Sequence, residues 1–267
     1  MAVRSVEWSG LLAAFPDDAY LHLRGDDPGT IRRAAVSGST WSTRTRSQYW
    51  ESDWVMMFSA SADAGVRADE TAEHLEWHLS FPDGDAIGGM TFADHTVVPG
   101  SISVVQSSAW SWFWTDASRA KASPESEVII VDHHDSRLLP LLAHSATASH
   151  ERDGVVPDAW FGIESAGQLV CAAAVNVSGQ TTYLQSVVTH SDFRRRGLAR
   201  RLCSHATAWS LQQVPYATLG MMTDNDIAAQ LYMDLGYVCD KKFRSVRFAQ
   251  AEQQAASLGD KSPHCCD

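Results

Sequence analysis

Between residues 126 and 248 the apolar positions switch repeatedly between a period of two and a period near 3.6, which predicts strands alternating with helices. Val128-Ile129-Ile130-Val131 is a short all-apolar run of strand length. Asp135 to about Ala148 carries Leu138, Leu139, Leu142 and Ala143 at helical spacing, although Pro140 fits a helix only in its first turn. Ala159–Glu164 and Leu169–Val177 read as strands joined by Ser165-Ala166-Gly167, and Thr181–Thr189 as the next strand after Ser178-Gly179-Gln180. From Gly197 a helix is predicted with Leu198, Leu202, Ala206 and Trp209 on one face and Arg200, Arg201, Ser204 and His205 on the other. Ala217–Met222 is an apolar strand. Asp224-Asn225 caps a helix with Ile227, Ala228, Leu231 and Leu235 inward, closed by Gly236, and Tyr237–Phe248 is a final strand.

The first 120 residues have a different texture. Seven of the ten tryptophans lie between positions 41 and 114: Trp41, Trp50, Trp54, Trp77, Trp110, Trp112 and Trp114. Helices are predicted over Pro28–Val36 and about Arg67–Leu79, the second with Ala72, Leu75 and Leu79 on its repeat and ended by Phe81-Pro82-Asp83-Gly84. Strands are expected near Ile102–Val105 and Trp110–Trp114, where three indoles share one face of an extended segment. Residues 116–126 are small, polar and proline-containing, which reads as a linker. The expected organisation is an N-terminal Trp-rich unit over 1–120, a second α/β unit over 126–250, and a flexible Gln/Ala-rich tail over 251–267.

Composition narrows the function classes. The 267 residues are 45% hydrophobic and 20% charged, ordinary for a globular protein, and the net charge of −11 disfavours a nucleic-acid binder. No run of eighteen apolar residues marks a membrane span, and the N-terminus lacks the apolar core of a secretory signal. Five scattered cysteines form no disulfide framework, which favours a reducing cytoplasm.

The densest chemistry is at Val187-Val188-Thr189-His190-Ser191-Asp192-Phe193-Arg194-Arg195-Arg196-Gly197-Leu198-Ala199. A strand there feeds a basic, glycine-containing turn at a helix N-terminus. Unpaired N–H groups and the macrodipole make such a turn an anion site, and guanidiniums beside it favour phosphate.

Arg194-Arg195-Arg196-Gly197-Leu198-Ala199 resembles the Arg/Gln-x-x-Gly-x-Gly/Ala pyrophosphate loop of the GNAT acyl-CoA N-acyltransferases. Asn225-Asp226-Ile227-Ala228-Ala229-Gln230-Leu231-Tyr232-Met233-Asp234-Leu235-Gly236-Tyr237 resembles the second signature of that superfamily, and the likeness covers about residues 126–248. The resemblance implies an α/β (α+β) fold with a GNAT-like mixed central sheet flanked by helices. The N-terminal unit is then an accessory α+β domain or a degenerate copy of the same fold without its own phosphate loop. It also implies acetyl-CoA as donor and direct transfer to an amine on a small molecule, peptide or protein. Backbone N–H groups from Arg195 to Arg200 hold the pyrophosphate, the splayed strand end Val187, Val188 and Thr189 binds the pantetheine arm and the oxyanion, Asn225 contacts the coenzyme, and Tyr232 protonates the departing thiolate.

The general base is not identified. The positions where the family often carries glutamate fall on Tyr183 and Gly220, and Tyr183, Glu164, His190, an N-terminal residue or a water chain all stay open. The same gap motivates an alternative, a catalytically inactive acyl-CoA-binding regulatory module. His74 and His78 have metal-capable i,i+4 spacing without a further ligand set, Asp132-His133-His134-Asp135 reads as helix capping, and no metal is assigned. The tryptophans are read as core, with lining of an acceptor pocket as the functional alternative.

Overall fold

A computed structural model of the chain describes residues 2–23, 30–46, 52–61, 64–81, 87–93, 103–151 and 155–249. Its elements are β1 (Arg4–Val6), α1 (Trp8–Ala14), α2 (Ala19–Leu23), β2 (Ile31–Ser37), β3 (Thr40–Arg46), β4 (Asp53–Ser59), α3 (Ala64–Leu79), β5 (Ile87–Ala93), β6 (Val104–Asp116), β7 (Val128–Val131), α4 (Leu138–Leu142), β8 (Ala159–Ser165), β9 (Gln168–Ser178), β10 (Thr181–Thr189), α5 (Leu198–Gln213), β11 (Tyr216–Met222), α6 (Asp226–Asp234) and β12 (Val238–Phe248). The chain divides into two units, one of residues 1–17, 27–110 and 242–267, the other of 18–26 and 111–241, so that the division falls inside β6 and β12.

The second unit carries the predicted pattern. β7, β8, β9 and β10 pair antiparallel in turn, and β11 then pairs parallel to β10 through the crossover helix α5. The β8–β9 turn places Ala166 and Gly167 at positive φ and the β9–β10 turn does the same with Gly179, as two-residue hairpins require. β9 explains the layering. Leu169–Val175 is buried throughout because alternate residues serve two cores. Cys171, Ala173 and Val175 pack with Leu202, Cys203 and Ala206 of α5, while Ala172 and Ala174 pack with Leu138, Leu141 and Leu142 of α4.

Several expectations change. α4 spans only Leu138–Leu142, with Pro140 in its first turn, because Ser145 Oγ takes the N–H groups of Thr147 and Ala148 and turns the chain out of the helix. On α5, Ser204 is buried and its hydroxyl bonds both backbone groups of Ser123, while His205 Nδ1 accepts from Glu125 N at 3.0 Å. Lys121 N also donates to Leu235 O, and a Cβ at Gly236 (φ +91) would lie 2.2 Å from Arg119 O. Residues 119–125 are thus tied to α5 and to the end of α6.

In the first unit, β2–β3 and β3–β4 are antiparallel, β4–β5 is parallel, and α3 lies between β4 and β5 in sequence. That order repeats the β8 to β11 order of the second unit. β12 completes it by pairing antiparallel to β5. The helix expected over Pro28–Val36 is instead strand β2. Ile31, Ala34 and Ala35 imitate a helical repeat, but β2 is flanked by β1 and β3, so Ala34–Ser37 are all buried and no alternation survives. The strands expected near Ile102–Val105 and Trp110–Trp114 are one strand, β6, within the described residues. Phe81-Pro82-Asp83-Gly84 beyond Phe81, Trp50 and the tail 251–267 lie outside the described residues.

α3 buries an unexpected face. Thr71, His74, Leu75 and His78 point inward, whereas Leu79 is 53% exposed. His74 hydrogen-bonds Ser37 Oγ (2.9 Å) and Ser42 Oγ (2.6 Å), and His78 Nε2 hydrogen-bonds the same Ser42 hydroxyl (2.8 Å). Both nitrogens of His74 therefore have hydroxyl partners. Burial pushes His74 down to about 4, and burial together with the neighbouring His74, Arg44 and Arg33 pushes His78 down to about 3. An unfolded histidine titrates near ~6.5, so between about pH 6.5 and 4 the unfolded chain binds protons that the folded unit refuses. Stability is complete above about pH 6.5 and is lost as the pH falls, by roughly 3 kcal/mol for His74 alone. Hydrogen exchange at β2–β3 amides should accelerate across that window, with a shallower dependence in His74→Gln. A rate of opening that does not change from about pH 7 to 4 would contradict this account.

Candidate active site

The second unit opens where β10 and β11 part. They pair only over Thr181–Leu184 with Tyr216–Leu219, although β10 runs to Thr189 and β11 to Met222. On its other side β10 follows β9, but the register shifts between Gln185 and Val188, and Ser186 sits at φ +54. This is a β-bulge, and it reverses which side chains face which layer. Leu184 packs in the α5 core and Val188 in the α4 core, which an unbroken strand could not do at a separation of four residues. The bulge is pinned by Ser149, whose carbonyl accepts from Ser186 Oγ (2.8 Å) and whose N–H donates to it (3.2 Å). Val187, Val188 and Thr189 thus present toward β11 a strand edge with no ladder partner among the described residues. The one trace of the bulge in the sequence is Gln185-Ser186, a polar pair between Leu184 and Val187.

Beyond Thr189 a single 3-10 turn (Ser191–Phe193) leads into Arg194-Arg195-Arg196-Gly197 and α5. Arg195 (φ +62) and Gly197 (φ +75) are both left-handed, which curls the backbone into an N–H-lined concavity. Gly197 is needed for that angle rather than for room, since its Cβ would meet only the flexible end of Arg201 at 3.2 Å. No side chain caps α5, so the N–H groups of Leu198, Ala199 and Arg200 have no partner from the helix or its cap.

The arginines divide their work. Arg194 donates to Thr189 O (3.2 Å) and His144 O (2.6 Å), and Arg196 donates to Asp192 O (2.8 Å) and lies over the Phe193 ring. Arg200 pairs with Asp234 at 2.7 Å, and Arg201 pairs with Glu127. Arg194 and Arg196 therefore brace the loop by donating to the carbonyls of Thr189, Asp192 and His144. Arg195 is exposed and has no hydrogen bond among the described residues, so its guanidinium is available to an anion. Arg200 also borders a groove of about 560 Å³ with Asp226, Ile227, Gln230, Leu231 and Asp234, which runs from the start of α5 along α6.

Asn225 is the N-cap of α6, its Oδ1 accepting from Ala228 N at 3.1 Å, and it is exposed. Tyr232, seven residues on, is 7% exposed and packs between Phe113 and Tyr237 (ring centroids 6.2 and 5.9 Å). Its hydroxyl is hydrogen-bonded to the Cys203 thiol, and burial, reinforced by Cys203, Tyr237 and Tyr183, holds its pKa well above the ordinary phenol range. The Cys171 thiol beneath Thr189 (3.2 Å) is pushed up to about 11 by burial, and Cys203 is raised further for the same reason. Neither thiol is ionised at neutral pH, so neither is poised to form an acyl-cysteine.

Among the base candidates, Tyr183 lies directly over Gly220, and a Cβ there would stand 2.8 Å from the Tyr183 hydroxyl. One phenol therefore fills the space where either position could have carried a carboxylate. Glu164 is exposed and paired with Arg137 at 2.7 Å. His190 Nδ1 accepts from Asp192 N (3.3 Å), and its ring lies against His144 (4.1 Å). Of the described tryptophans, Trp41 and Trp112 are core residues and Trp54 donates to Thr91 Oγ1 at 2.9 Å.

Residues 110–237 match the model of the acetyltransferase (GNAT) family. No curated protein matches the sequence. Among solved structures, the chain is similar to a GNAT-family protein from Novosphingobium aromaticivorans at 19% identity, covering 79% of this chain and 88% of that one with a TM-score of 0.52. A Drosophila melanogaster protein aligns at 15% identity over 91% of this chain and 87% of its own, with a TM-score of 0.53. An acetyltransferase of the GNAT family from Colwellia psychrerythraea aligns at 9% identity over 93% and 100%, with a TM-score of 0.50. These likenesses concern the fold, and their coverage extends it well beyond the matched segment. No helix among the described residues is long and apolar enough to cross a membrane. Residues 110–237, which hold the split strands, the N–H-lined loop and the capped α6, are thus a GNAT-family segment, of the superfamily of acyl-CoA-dependent N-acyltransferases.

Proposed function

We infer that the protein transfers the acetyl group of acetyl-CoA directly to an amine, on a small molecule, a peptide or a protein. The observation that carries this reading is the uncapped, left-handed turn Arg195–Gly197 at the end of a strand that has parted from its parallel neighbour. The loop N–H groups and Arg195 hold the pyrophosphate, and the pantetheine arm takes the free β11-facing edge of Val187, Val188 and Thr189. Asn225, already fixed as a cap, borders the coenzyme with its remaining amide group.

The amine nitrogen attacks the thioester carbon, and the carbonyl oxygen becomes an oxyanion that accepts a hydrogen bond from the β10 edge near Val187 and Val188. Collapse breaks the carbon–sulfur bond and releases the thiolate, while the positively charged nitrogen of the intermediate gives one proton to solvent water as the amide forms. Tyr232 supplies the hydrogen bond that the thiolate needs, in exchange for the one it makes to Cys203. Its raised pKa makes complete proton transfer to a thiolate of pKa near ~8.5 uphill, so its contribution is stabilisation of the leaving sulfur rather than full protonation. The buried, protonated Cys171 and Cys203 support direct transfer over a covalent intermediate and suit a reducing cytoplasm.

A second reading is a non-catalytic acyl-CoA-binding regulatory module, favoured by the burial of Tyr232 and by the phenol standing where a carboxylate base would be. Release of the coenzyme A thiol, followed across a broad amine panel, separates the two. Turnover with one acceptor removes the second reading, and acetyl-CoA binding with no turnover on any acceptor removes the first. The loop itself is tested by Gly197→Ala, whose φ of +75 costs a residue with a Cβ about 1–2 kcal/mol. Calorimetry should show acetyl-CoA affinity weakened about tenfold with the fold intact. An unchanged affinity would remove the pyrophosphate from this turn.

A further inference from the structure

A further polar cluster falls, in sequence, between the end of β7 and the start of β8. His133 follows β7, and His150 and Glu151 lie between α4 and β8. The two imidazoles are nearly parallel, with centroids 4.0 Å apart and planes 21° apart. His150 is backed on its other side by the Trp160 ring (6.1 Å, 20°), and His134 meets His133 at 5.0 Å. His133 Nε2 lies 3.3 Å from Glu151 Oε1. His150 Nε2 lies 2.7 Å from the His133 carbonyl, which can only accept, so the Nε2 of His150 carries the proton and its Nδ1 holds the lone pair. His133 Nδ1 is buried without a hydrogen-bond partner among the described residues.

Three features give this cluster the character of a metal site. One ligand atom from each of His133, His150 and Glu151 lies within 4.8 Å of the other two. Zinc bonds of about 2.0–2.2 Å place tetrahedral ligand atoms roughly 3.3–3.5 Å apart, and the His133 Nε2 to Glu151 Oε1 separation of 3.3 Å already has that value. The ligand atom of His150 lies within 4.8 Å of both. The bond from His150 Nε2–H to a backbone carbonyl is the kind of outer contact that fixes the tautomer of a ligating histidine. Two imidazoles and one carboxylate select a transition ion over magnesium or calcium and leave a fourth position open.

We propose that His133, His150 and Glu151 form a binding site for a divalent transition metal, zinc by ligand class. This replaces the expectation of no metal ligands, which rests on the capping role of Asp132, whose carboxylate does accept from His134 N at 2.7 Å. His150 and Glu151 are far from His133 in sequence and share no metal-ligand spacing with it. The site also has a structural consequence. Ser149, adjacent to His150, bonds Ser186 at the bulge through both of its backbone groups, so a bound metal would fasten the segment that holds the bulge in place. The proposal does not depend on the acyl-transfer reading, since it is tested by metal binding and not by turnover.

The test is titration of the full, chelator-stripped chain with Zn²⁺ by calorimetry and with Co²⁺ by visible absorption. The expected result is one saturable equivalent, with cobalt d–d bands and no sulfur-to-cobalt charge-transfer band. His150→Ala and the exposed Glu151→Gln should each weaken it by at least about tenfold. Replacing His264, Cys265 and Cys266 with serine should leave that equivalent untouched. Absence of saturable binding, binding that survives His150→Ala and Glu151→Gln, or binding lost with the tail variant alone would overturn the proposal.

Discussion

Asp53→Ala should lower the stability of the first unit by about 3–5 kcal/mol, because it strips a counter-charge from a guanidinium that water cannot reach. Asp53 is fully buried and Arg44 nearly so, with Arg44 Nε donating to Asp53 Oδ2 at 2.6 Å. Arg32 Nε lies 3.1 Å from the other carboxylate oxygen, and Arg44 Nη1 also donates to His78 O, so the pair joins β2, β3, β4 and α3. The attraction between such buried charges roughly offsets the cost of desolvating them, whereas half a pair leaves that cost standing. Asp53→Leu combined with Arg44→Met should therefore recover most of what the single change loses. Because the chain has two units, the measurement is hydrogen exchange at β3 and β4 amides rather than a global midpoint. A loss under about 1 kcal/mol for Asp53→Ala, or a double variant no more stable than the single one, would refute the assignment.

The largest catalytic effect is expected at Tyr232. Tyr232→Phe keeps the ring that fills the space between Phe113 and Tyr237 and removes only the hydroxyl. If that hydroxyl stabilises the leaving thiolate, kcat should fall about 10²–10³-fold, the range seen when one preorganised donor to a developing anion is removed. Acetyl-CoA affinity should stay within about twofold, because the pyrophosphate and pantetheine contacts lie on other elements. Cys203→Ala provides the control: it frees the hydroxyl from its present partner and should leave kcat unchanged or raise it. A Tyr232→Phe enzyme of undiminished kcat, or one whose defect is entirely in acetyl-CoA binding, would show that the tyrosine is a core residue only.

Legibility in the sequence follows the physics of each region. In the second unit the apolar periods, the glycine turns and the helix caps agree with one another, so every strand from β7 to β12 is visible in the pattern. Two sequence signatures suffice to place the loop and α6. What the pattern misses there depends on partners distant in sequence. Ser204 and His205 look like a solvated helix face until Ser123 and Glu125 come to meet them, and the bulge at Ser186 depends on Ser149. The first unit is harder to read because its buried face is polar. α3 turns His74, His78 and Thr71 inward beside Leu75, the two histidines toward hydroxyls of β2 and β3, so hydrophobic periodicity finds Leu75 but misses the polar part of the buried face. Ala34–Ser37 in a flanked central strand give no alternation at all. The arginines make a similar point: three in a row suggest three anion contacts, but the fold uses Arg194 and Arg196 to satisfy its own carbonyls.

In the proposed reading, the turn from Arg195 to Gly197, with the first turn of α5 behind it, receives the pyrophosphate of an acyl-coenzyme A. Isothermal titration of the full chain with acetyl-CoA tests it most directly, run beside Gly197→Ala and Arg195→Ala and repeated at raised salt. One equivalent should bind, weakened about tenfold by Gly197→Ala, weakened also by Arg195→Ala, and less tight as salt screens the phosphates. Absence of any acetyl-CoA binding, or binding indifferent to both substitutions, would contradict it.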